Sequence, residues 1–92
     1  MNPPDLGRLA RAVHLDAVRL VNGAWRVAGG ASAHEVNAEG TRCDCTDFAV
    51  HGGACKHLLA VRLHTGDPET LAALRALVPL PRRASLRRPR LP

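Results

Sequence analysis

The chain has 92 residues, 46% of them apolar, with 13 basic and 8 acidic groups and a formal charge of +5. That length allows one small domain, and a core of mostly Ala, Leu and Val, with Trp25 and Phe48 as its aromatics, gains from a metal or covalent staple. No apolar run reaches the roughly 20 residues of a membrane helix, and the opening MNPPDLGRLARAV lacks a signal peptide's apolar stretch, which argues against membrane insertion or export and for a reduced, cytoplasmic setting.

Asn2, Pro3, Pro4 and Asp5 read as a helix start, with a capping side chain, first-turn prolines and an early carboxylate. Leu6, Leu9, Ala10 and Val13 then repeat at helical spacing, which predicts a short helix ending near Leu15. AVRLV and AWRVA flank Asn22-Gly23, a strong hairpin signal. Gly29-Gly30 makes the next turn, SAHEVNA reads as a third strand, and Glu39-Gly40 turns the chain into a short fourth segment that delivers Cys43.

After Gly52-Gly53, ACKHLLAVRLH is helical in pattern, with Gly66 as its terminator. Asp67-Pro68-Glu69 starts another helix, whose apolar face is Leu71, Leu74, Leu77 and Val78 and which Pro79 stops. The expected fold is α+β: an N-terminal helix, a three- to four-stranded antiparallel meander, then two C-terminal helices. Residues 1–78 form the domain and 79–92 a mobile, basic Pro/Arg-rich tail.

Charge divides along the same boundary. Residues 1–78 balance their acids and bases, and the whole excess lies in Arg82, Arg83, Arg87, Arg88 and Arg90. Twelve Arg against one Lys also fits a codon bias, which weakens the inference from a high isoelectric point.

All three cysteines fall between positions 43 and 55, in the order Cys43-x-Cys45 then Cys55-x-His57. Single cysteines are usually small buried side chains, but two short-spaced pairs of soft donors are what a structural Zn²⁺ site uses. The first pair ends a strand and the second opens a helix, where unpaired N–H groups favour thiolate. Four ligands, Cys43, Cys45, Cys55 and His57, give a centre of formal charge −1, which Arg42 and Lys56 beside them would offset.

CDCTDF, the glycines of HGGACKH and the following LLAV resemble the SWIM-type zinc finger family over roughly residues 18–65. In that family C-x-C, a variable spacer and C-x-H at a helix start follow a β-hairpin. The resemblance implies that Cys43, Cys45, Cys55 and His57 are the ligands, that the module binds DNA or proteins, and that it has no catalytic activity of its own. Thr46 stands where the family often has proline.

The remaining histidines have simpler readings. His51 reads as a solvated loop residue rather than the fourth ligand, His64 as a packing residue on the His57 helix, and His14 and His34 as structural or exposed. Trp25 reads as a core anchor and Phe48 as a cover over the metal. The expected function is a zinc module that binds nucleic acid, DNA before RNA. Contacts would come from Arg82, Arg83, Arg87, Arg88 and Arg90, with Arg42 and Lys56, and any residual patch would also draw on Arg19, Arg26 and Arg62. The alternative is an adaptor with a structural zinc and an acidic protein partner for RRASLRR. An enzyme with a small-molecule substrate is not expected, because four ligands leave no open position on the metal.

Overall fold

The computed structural model describes residues 5–30 and 32–77. The expected Asn2 cap, Val78, the boundary at 78/79 and the five tail arginines lie outside them.

Asp5 is the cap of the first helix: its carboxylate accepts from the Arg8 N–H at 3.0 Å. Helix α1 runs Leu6–Ala12, shorter than the spacing predicts, because turn bonds from His14 and Leu15 to Arg11 and Ala12 redirect the chain into the sheet. Its buried positions are Leu9 and Ala12, while Leu6 and Val13 face solvent.

Three antiparallel strands follow in the order β1-β2-β3: β1 Asp16–Arg19, β2 Trp25–Ala28 and β3 His34–Val36. Between β1 and β2 the loop is Val21-Asn22-Gly23. Leu20 and Ala24 still pair at 2.7 Å, the Gly23 N–H returns to the Leu20 carbonyl at 2.9 Å, and Gly23 has φ +92°. This is a three-residue loop ending in a glycine of positive φ rather than a two-residue turn. Trp25, Val27 and Val36 point to the buried face; Val18, Arg26 and Glu35 point out. The fourth segment shrinks to one bridge, Val36 to Cys43.

Gly29 is required by close approach: a Cβ there would meet Leu15 Cδ2 at 2.9 Å and the His14 carbonyl at 3.0 Å. A short helix that the sequence pattern does not show, α2 (Thr46–His51), fills the segment expected as loop and ends at Gly52. Helix α3 is Lys56–Thr65, with Gly66 as its left-handed cap. Helix α4 is Pro68–Leu77, opened by Asp67, whose carboxylate accepts from the Thr70 N–H and hydroxyl at 3.0 and 2.7 Å. Those bonds let polar Thr70 be buried, and α4 meets the core through Thr70, Ala73, Leu74 and Leu77 rather than Leu71.

Helix α3 is the centre of the fold. It packs on all three strands, on α1 and on α4. Residues His57, Leu58, Leu59, Ala60 and Val61 are therefore buried in succession, because different faces of one helix meet different neighbours. Among the described residues no helix is long and apolar enough to cross a membrane.

Leu59 is fully buried. Leu59→Ala is expected to cost about 2–5 kcal/mol, a large share of a small domain's stability. Urea unfolding of the metal-loaded protein measures it.

Candidate metal centre

The Val36–Cys43 bridge sets the first pair of donors. Extended backbone alternates, so Cys43 and Cys45 project to the same side, while Asp44 points away and is exposed. Cys45 is also the N-cap of α2, and its Sγ accepts from the Phe48 N–H at 3.3 Å. The second pair opens α3: Cys55 is its N-cap and makes no side-chain capping bond, which leaves its Sγ directed elsewhere.

The ligand atoms of Cys43, Cys45, Cys55 and His57 all lie within 4.8 Å of one another, and all four residues are buried. Tetrahedral zinc with Zn–S near 2.3 Å places sulfurs about 3.8 Å apart. Cys55 Sγ and His57 Nδ1 are 3.8 Å apart. The donor set and its spacing thus fit a closed four-ligand zinc site.

Electrostatics point the same way. Burial pushes the Cys43 thiol up, and the neighbouring Cys55 adds to the shift. Burial likewise raises Cys55. Burial lowers His57, helped by His34 and Lys56 beside it. Three adjoining thiolates need a compensating cation here, and a neutral imidazole is ready to bind one.

Residues around the donors differ from the sequence expectation in two places. His34, read from the sequence as structural or exposed, sets its ring tilted against that of His57, with ring centres 4.5 Å apart. Its Nδ1 lies 2.9 Å from Asp44 Oδ1 and its Nε2 3.2 Å from Ser32 Oγ. The Val36–Cys43 bridge sets His34 opposite Cys45 by the antiparallel count, a register the sequence alone does not give. The second place is Arg8. Its Nε and Nη2 donate to Asp47 Oδ2 and Oδ1 at 2.7 and 2.8 Å, and its Nη1 reaches Asp5 at 3.1 Å. No local pattern joins positions 39 residues apart.

His51 is exposed and turned toward Asp47, its Nδ1 3.0 Å from Oδ1. His64 packs edge-on to Trp25, with ring centres 5.2 Å apart. Trp25 is a core residue with the Arg19 guanidinium 4.8 Å above its ring. Phe48 is half-buried against the core that contains the cysteines.

The basic residues named as contacts do not converge. Lys56 shares a cleft of about 350 Å³ with Arg8, Arg11 and His57. Arg19 and Arg62 line another, Arg26 lies on the open sheet face, and Arg42 is exposed at the end of the Asn37 loop.

Residues 25–66 match the family model of the SWIM zinc finger. The match runs from the first residue of β2 to the cap of α3 and leaves α1, β1 and α4 outside. No curated protein and no solved structure matches the chain. The family match and the Cys/His cluster together mark a zinc-binding module.

His57→Ala is expected to weaken zinc binding at least tenfold, and His51→Ala to leave it within a factor of two. Competition with a chromophoric chelator at neutral pH gives both constants, and the opposite ranking would overturn the choice of His57.

Proposed function

We propose that Cys43, Cys45, Cys55 and His57 hold one Zn²⁺ as a structural ion, and that the module acts by binding nucleic acid, with DNA as the partner. The supporting observation is how few cations the fold uses internally. Among the described residues Arg8 is the one Arg or Lys in an ion pair; Arg11, Arg19, Arg26, Arg42, Lys56, Arg62 and Arg75 make none. These are available to phosphates although the charge of the domain is balanced, and Arg82, Arg83, Arg87, Arg88 and Arg90 add five more.

Within this reading Arg11 and Lys56 are the local contacts, because they line one cleft beside the donors. The tail supplies most of the affinity. With its four positions filled by protein, the zinc activates no water and takes no substrate, so the module is not an enzyme.

A second reading, an adaptor for a protein partner, is favoured by a different observation. A cleft of about 570 Å³ runs beside β1, lined by Val13, Leu15, Val18 and Leu63, with Val13 and Val18 exposed at its rim. Apolar exposure of this kind suits protein rather than phosphate.

Titration of duplex DNA at several salt concentrations separates the two. Deleting residues 79–92 is expected to flatten the log–log salt slope by up to about 4 to 5, near 0.9 per lost contact, with zinc content unchanged. Arg11→Gln with Lys56→Gln in the truncated chain is expected to remove a further slope of about 1–2. Absence of DNA binding by the full chain at low salt, together with recovery of a specific protein partner, would decide for the adaptor.

A further inference from the structure

We infer that Arg8 is a positioning residue for the metal centre: by holding Asp47 it keeps α2, and with it Cys45, in the geometry that retains zinc. This rests on the reading that the four donors hold the metal. It assigns a role to a helix that lies outside the segment matching the SWIM model.

Helix α2 needs such a hold. It has six residues, none of them fully buried, and Phe48 is its side chain packed against the core. A helix this short does not sustain itself in water. Besides Phe48, what holds it is the Cys45 cap at its start and the Arg8 fork on Asp47, the second residue after Cys45. Two parallel bonds from one guanidinium set orientation as well as distance, which a lysine ammonium does not do.

The guanidinium is itself anchored. Its third bond goes to Asp5, the cap of its own helix, and α1 is packed on α3 through the buried Leu9 and Ala12. Asp47 thereby becomes a link between the packed core and the otherwise loosely held α2.

Metal leaves such a site through local opening, in which one ligand detaches before the domain unfolds. Loosening α2 should therefore act on the release rate of zinc more than on global stability. The test is transfer of zinc from the full chain to an excess of chelator, with the melting temperature measured alongside. Arg8→Gln and Asp47→Asn are each expected to speed release roughly tenfold, in the range seen when partners of metal ligands are removed. The double variant should be no faster than the faster single one, since both break one interaction. Arg8→Lys keeps the charge but not the fork, should release nearly as fast as Arg8→Gln, and serves if the latter folds poorly.

Asp67→Ala is the control: it removes the α4 cap and lowers stability without touching α2. Release that is unchanged in both Arg8 variants overturns the inference, as does equal acceleration by Asp67→Ala. A full chain that takes up no zinc at all overturns the metal reading itself and this inference with it.

Discussion

Everything in this molecule depends on bringing three buried sulfurs and an imidazole within 4.8 Å of one another. Without a cation, burial disfavours the thiolate form of Cys43 and Cys55. With a divalent metal the same crowding becomes a cross-link between the end of a sheet and the start of a helix. Binding free energy at such sites is on the order of 10–16 kcal/mol in small peptides, comparable to the whole stability of a domain this size.

A metal on the four donors would tie the first turn of α3, through Cys55 and His57, to the end of the sheet, and the residues that follow are buried against neighbours on several sides. The strands cover one side. The segment from 25 to 66 has nothing for the other side, and α1 and α4 supply it through Leu9, Ala12, Ala73, Leu74 and Leu77. The flanking helices are thus part of the same core, not appendages to the finger. Through Arg8, α1 also reaches across to α2, which meets the core through the half-buried Phe48.

Charge is arranged by a different rule from mass. Formal balance in the domain suggests internal pairing, yet only Arg8 among its described Arg and Lys side chains meets a carboxylate. Asp44 and Asp67 spend their oxygens on His34 and Thr70 instead. Neutral composition and free cationic side chains therefore coexist, and a surface can contact phosphate without a net positive domain.

Local patterns by themselves picked out Cys43, Cys45, Cys55 and His57, which the fold brings together, as well as the hairpin, α3 with its Gly66 cap and the Asp67-Pro68 start of α4. In each case the deciding chemistry lies within a few residues: soft donors at short spacing, turn residues, caps. What needed tertiary structure was everything set by distant neighbours. The strand register brought His34 against His57; the packing of α1 on α3 placed Arg8 at Asp47 and rotated the buried stripe to Leu9 and Ala12. Helix α2 falls in the same class, because a sulfur cap and an ion pair from another helix sustain it rather than its own periodicity. Short-range order is written in propensity and spacing, whereas these contacts exist only once the backbone has closed around the metal site.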